Sequence, residues 1–126
     1  MILKGLTKLR KEILKLIENS EVPLCADEIF ENLEKKPNLS SVYRGLCYLE
    51  DKGMIKSISF DGNTRYFFMA TEHSNHYLYC KTCGKLEVFD ICFADRIQKE
   101  LEKKHDYKIL DHIFYFVGIC SECRKK

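Results

Sequence analysis

The chain has 126 residues, a formal net charge of +2, 45% hydrophobic and 12% aromatic residues, and seven cysteines. That length holds one domain or two small ones, and cores this thin gain from a metal staple or from pairing with a second copy. A charge so small does not by itself announce a nucleic-acid partner, and seven cysteines without a secretion signal or a membrane-length apolar stretch fit a reducing, cytoplasmic compartment with no membrane partner.

The charge is unevenly spread, with Lys4, Lys8, Arg10, Lys11 and Lys15 in residues 1–20 and only acids in residues 21–34. Leu6, Leu9, Ile13, Leu16 and Ile17 fall at helical spacing and predict an amphipathic helix over residues 3–18, ended by Asn19-Ser20 and Pro23. Residues 26–33 read as a short second helix that buries Ile29, Phe30 and Leu33, with Asp27 and Glu28 favouring its N-terminus. After the break at Pro37-Asn38, Ser40 or Ser41 can cap a third helix running through Lys52, where Gly53 stops it. Val42, Leu46 and Leu49 form its inward stripe, leaving Ser41, Arg44, Tyr48 and Lys52 outward with Tyr43 beside them. Residues 54–60 and 64–69 flank Asp61-Gly62-Asn63, a strong hairpin signal.

Helix, helix, turn, helix and a two-stranded β wing make a winged helix-turn-helix. Its third helix would enter a major groove, where Arg44 can offer a fork to a guanine edge. Tyr43 would pack on a thymine methyl or reach a phosphate, with Ser41 on the same face. Lys8, Arg10, Lys56 and Arg65 are phosphate candidates, which position a protein without reading sequence. Surface Lys and Arg are more often simply solvated, and helical triplets with hairpins also serve as plain interaction modules.

In the second half, residues 77–80 and 86–89 read as short strands, residues 93–105 as a helix and residues 108–119 as a long strand. Both alternating sets of that last strand are mostly apolar, so each face should pack against something, most economically a second subunit. The pairs Cys80-Lys-Thr-Cys83 and Cys120-Ser-Glu-Cys123 have the spacing that lets two thiolates of one turn reach one tetrahedral ion at about 2.3 Å. Four thiolates leave no open position, the arrangement of structural zinc. A disulfide framework fits poorly with an odd number of cysteines, and a redox C-x-x-C lacks a βαβ context. Cys25 and Cys47 are expected as small core hydrophobes, and Cys92, opening a helix, as a thiol whose pKa the helix dipole could lower.

Four segments resemble the ferric uptake regulator family of bacterial metal-dependent repressors: Ala26-Asp27-Glu28-Ile29-Phe30, residues 39–46 with Val42-Tyr43-Arg44 at their centre, residues 76–85 around the first cysteine pair, and residues 116–123 around the second. The resemblance spans nearly the whole chain in order. It implies an α+β protein, with an N-terminal winged helix-turn-helix DNA-binding domain over 1–70. A small α/β dimerisation domain over 71–126 follows, with a structural zinc on Cys80, Cys83, Cys120 and Cys123. It further implies a homodimer on a double-stranded DNA operator and base reading by Tyr43 and Arg44. An enzyme is not expected, since the thiols lack a βαβ context and no catalytic metal with an open position is evident.

The family's hinge metal site is altered in this chain. Pro23 stands where a histidine is expected, Phe67 and Val88 where carboxylates are expected, and Tyr77 where the last histidine of the His-x-His element would fall. A second family site maps onto His73 or His76, Asp95 and His112, a mixed N/O set suited to a divalent ion such as Zn, Fe or Mn. Two readings stay open: a repressor switched by metal at that second site, or a member that binds DNA constitutively or in response to redox state or another ligand.

Overall fold

The computed structural model describes residues 5–71, 76–89 and 94–126. Helix α1 (Lys8–Asn19) begins where Thr7 Oγ1 accepts from the Arg10 N–H at 3.2 Å, so it starts five residues later than its periodicity suggests. Gly5, at φ 88°, stands outside the helix and explains the late start. A two-residue strand, β1 (Leu24–Cys25), leads into α2 (Ala26–Glu31). The Glu28 carboxylate accepts the Cys25 N–H at 2.9 Å across the first turn of α2. At its far end Lys36 Nζ donates to the Phe30 carbonyl at 3.0 Å, a cation where the dipole favours one.

Helix α3 (Leu39–Asp51) starts from Asn38, ahead of the expected serine caps, and ends at Gly53, whose φ of 75° few side chains tolerate. Strands β2 (Ile55–Ser59) and β3 (Arg65–Met69) pair antiparallel from Ile55↔Met69 to Ser59↔Arg65. Their turn is held by Asp61 Oδ1, which accepts from the Asn63 and Thr64 N–H groups at 2.8 and 2.9 Å. Those backbone donors hold the Asp61 carboxyl below its usual range. β1 adds to the other edge of β3 and gives the order β1-β3-β2. Ile13 and Ile17 of α1, Ile29 of α2, Val42, Leu46 and Leu49 of α3, and Ile55, Phe67 and Met69 of the sheet form one buried core. Each such aliphatic side chain contributes about 1.5–3 kcal/mol by leaving water.

Residues 73–126 form a second unit, separate from 1–72. Strands β4 (His76–Cys80), β5 (Leu86–Phe89) and β6 (Phe114–Gly118) make a sheet ordered β5-β4-β6, with helix α4 (Ala94–His105) between β5 and β6 and a short α5 (Ser121–Arg124) at the end. β6 runs parallel to β4, from His76↔Phe114 to Cys80↔Gly118. The long strand expected over 108–119 therefore pairs only over five residues, because the whole of β4 is already matched to them. All five β6 residues remain partly exposed to solvent, although the Phe114 and Phe116 rings also meet those of His76 and Phe89. The Cys92 and Phe93 expectations lie outside the described residues. Among the described residues no helix is long and apolar enough to cross a membrane.

Candidate functional site

The third helix buries Val42, Gly45, Leu46 and Leu49 and presents the intervening residues to solvent. Tyr43 is 49% exposed, and Arg44 is fully on the outer face. Arg44 Nη2 donates to Ser41 Oγ at 3.0 Å, one turn back, which lays the guanidinium along that face. The Arg10 guanidinium of α1 sits 4.2 Å from the Tyr48 ring centroid and Lys52 Nζ 5.7 Å from it, so Tyr48 is a platform for two cations. Lys56, on β2, is half-buried. Arg65 is placed differently from a phosphate clamp: it pairs with the Glu50 carboxylate, donates to Ser57 Oγ at 2.7 Å, and lies 5.2 Å from the Phe67 ring centroid. Burial would raise the Glu50 pKa, but the Ser57 hydroxyl and the Arg65 guanidinium outweigh it and hold the carboxyl below its usual value.

The cysteine pairs meet because β4 and β6 are parallel neighbours, so the chain leaves both strands at the same end of the sheet. After Cys80 the chain turns through Gly84 at φ 80°, and the Gly84 N–H donates back to the Cys80 carbonyl at 2.8 Å. After Gly118 it reaches Cys120, whose N–H donates to Cys80 Sγ at 3.3 Å and which starts α5, bearing Cys123. All four Sγ atoms lie within 4.8 Å of one another, and Cys83 Sγ is 3.7 Å from Cys120 Sγ. A tetrahedron with Zn–S bonds of about 2.3 Å has edges of about 3.8 Å, so the quartet fits zinc.

The electrostatics agree with that fit. The backbone N–H groups of Cys120 and Cys83 pull the Cys80 thiol down to about 6. The Cys120 thiol, burial and the remaining thiols push Cys123 up to about 12. Like charges crowded in one cage resist joint ionisation unless a cation takes them up.

The histidines are only partly gathered. His76 is 1% exposed, and neither of its ring nitrogens has a hydrogen-bond partner among the described residues. Its ring lies between Phe89 and Phe114, with centroids 5.4 and 5.6 Å away, and 5.6 Å from the ring of His112. Asp95, on α4, is exposed. Among the described residues it does not join His76 and His112 in a group of donors within 4.8 Å of one another, and His73 lies outside those residues. Pro23 and Phe67 are both buried and offer no donor atom.

The spare thiols depart from expectation. Cys47 is exposed on α3 rather than packed in the core. Cys25 is half-buried, and that burial pushes its thiol pKa up. Two features had no signal in the sequence. The Glu50–Ser57–Arg65 network joins residues far apart in the chain, and the burial of His76 depends on two aromatic rings from other strands. Gly45 could have been noticed, since a glycine inside a helix marks a close approach.

The family model described as the ferric uptake regulator family matches residues 4–117. A ferric uptake regulation protein from Staphylococcus epidermidis is 32% identical over 123 residues, covering 95% of this chain and 86% of the relative. The peroxide-responsive repressor PerR of the same species is 27% identical over 125 residues, covering 96% and 82%. The structure of the Helicobacter pylori ferric uptake regulator, described as having three functional metal binding sites, superposes with a TM-score of 0.79 at 27% identity, over 95% of this chain and 82% of that one.

Proposed function

The chain belongs to the ferric uptake regulator family, and from that premise we propose that it is a homodimeric DNA-binding repressor that reads its operator with α3 and responds to a divalent metal. The observation that carries this reading is α3 itself. Its inner face is locked into the core by Val42, Leu46 and Leu49, while Tyr43 and Arg44 stand free of that packing on a rigid helix. Rigid presentation of a planar, multidonor side chain is what base-edge reading needs. Ser41 orients Arg44, Arg10 and Lys56 supply phosphate contacts, and the wing lies against the neighbouring backbone.

Dimerisation is supported by β6. Its residues Phe114 to Val117, with Ile97, Leu101 and Ile113, leave an apolar surface on one chain that a second copy would cover. The cysteine quartet at the end of the same sheet would hold a structural zinc, bracing a unit too small to rely on its own core.

His76 and His112 are the residues on which a second ion would be held, with Asp95 or His73 completing the set. The two His76 nitrogens have no hydrogen-bond partner among the described residues, and such buried groups are costly unless something takes them up. A divalent ion bound there would supply fixed charge and rigidity beside β4 and β6. A second reading, DNA binding without metal sensing at the hinge, is favoured by Pro23 and Phe67, which cannot donate to a metal.

Selection from a random-sequence duplex pool tests the reading. Enrichment of one sequence with two-fold symmetry is expected, because a symmetric dimer reads two half-sites. No enrichment, with or without added Zn, Fe(II) or Mn(II), would overturn it.

A further inference from the structure

We propose that Glu50, Ser57 and Arg65 form a strut that fixes the wing on the recognition helix, so that Arg65 is a positioning residue for DNA reading rather than a phosphate contact. The inference rests on the DNA-binding function proposed above and assigns these three residues a role within it.

The three side chains come from three elements: Glu50 from the last turn of α3, Ser57 from β2 and Arg65 from β3. They close on one another. Ser57 Oγ donates to Glu50 Oε2 at 2.6 Å, and Arg65 Nη2 donates to Ser57 Oγ at 2.7 Å and to the other Glu50 oxygen. The Arg65 guanidinium is further set against the Phe67 ring, which is itself buried in the core. A guanidinium tied through Nη2 and laid against a buried ring has little freedom to leave for a phosphate.

The charge of Glu50 points the same way. It stands one turn beyond Cys47 and two beyond Tyr43, on the flank of α3 that faces the wing. A lone carboxylate on a DNA-reading helix would repel phosphates, which makes it unfavourable there unless it serves something else. Here it anchors Arg65. The same Arg65 and Tyr43 line one cavity of about 190 Å³ between α3 and the wing, together with Cys25, Cys47 and Phe67. Arg65 is the member of the strut that lines this space. The strut adds a polar tie to the apolar core that α3 and the wing already share.

Because the pair is half-exposed, its removal should leave the fold intact, and thermal melting of the variants checks this. The probe is the duplex enriched by the wild-type protein, with calf-thymus DNA as the non-specific reference, titrated over a range of salt. Glu50→Gln is expected to weaken binding to the enriched duplex about five-fold although it removes a negative charge, with calf-thymus binding unchanged. Arg65→Ala should show the same loss, the double variant should be no worse than either, and the salt slope should stay at its wild-type value. Glu50→Gln binding the enriched duplex as tightly as wild type or more so would overturn the strut. So would an Arg65→Ala salt slope reduced by about one, the mark of a lost phosphate contact. A wild type that enriches no duplex would instead fault the DNA reading on which the strut depends.

Discussion

A Cβ placed on Gly45 of α3 would stand 3.0 Å from Cδ1 of Ile13 on α1, so the recognition helix rests on the first helix at the one point where it carries no side chain. Arg10, above the Tyr48 ring, brings its Cγ to 3.5 Å from the same point. The orientation of Tyr43 and Arg44 thus depends on this contact. Gly45→Val should cost about 1–3 kcal/mol in urea unfolding, because the branched side chain must force the two helices apart. Ile13→Ala is itself costly at a fully buried position, but combined with Gly45→Val it should lose less than the sum of the two single losses, as neighbouring substitutions couple. A Gly45→Val protein as stable as wild type would show that the helices do not meet there.

The cysteine cage makes a pH-dependent prediction. Protons compete with the metal for thiolates, so metal affinity falls as pH falls, and it falls further below about 6, where Cys80 loses the ionised form it holds alone. At neutral pH, Cys123 must still give up its proton on metal uptake, since its thiol is held up at about 12. Proton release on zinc titration into the metal-free protein, read with a pH indicator, tests this. Cys80→Ser or Cys123→Ser should lose the zinc and with it the folded second unit, seen by elemental analysis and circular dichroism. Retention of stoichiometric zinc in both would contradict a four-thiolate site.

The open strand β6 predicts association. Phe116, 60% exposed, and Val117, 49% exposed, are expected at the contact between copies. Sedimentation equilibrium should give a dimer for the wild type and a monomer for Phe116→Asp, since a charge buried in an apolar contact is not tolerated. A monomeric wild type, or a Phe116→Asp dimer of unchanged affinity, would place the interface elsewhere.

His112→Ala tests the second metal. Elemental analysis of wild type grown with Zn, Fe(II) and Mn(II) should find the cage zinc and a second ion, and the variant only the first. One ion per chain in both proteins would favour the reading in which DNA binding needs no regulatory metal.

Most of the architecture was legible in the sequence because it rests on local signals. The i, i+4 spacing of Ile13 and Ile17, the Asp61-Gly62-Asn63 turn and the two C-x-x-C turns each specify their own backbone. What escaped depended on contacts distant in the chain. Strand β1 is two residues long and exists only because β3 offers an edge to Leu24 and Cys25. The apolar run of β6 continues past the five residues that β4 can pair, so its pattern predicts a longer strand than forms. Cysteine usually packs in a core, yet Cys47 sits one position outside the Leu46 stripe and is exposed. Nothing local to Arg65 reveals that Glu50, fifteen residues away, binds its Nη2.

Competition binding decides whether α3 reads DNA through Arg44. The duplex enriched by the wild type is titrated with wild type and Arg44→Ala against calf-thymus DNA at fixed salt. The variant should lose about ten-fold or more in affinity for the enriched duplex and much less for calf-thymus DNA, the signature of a lost base contact. Equal losses on both DNAs would reduce Arg44 to a phosphate contact, and no loss on either would remove α3 from the interface.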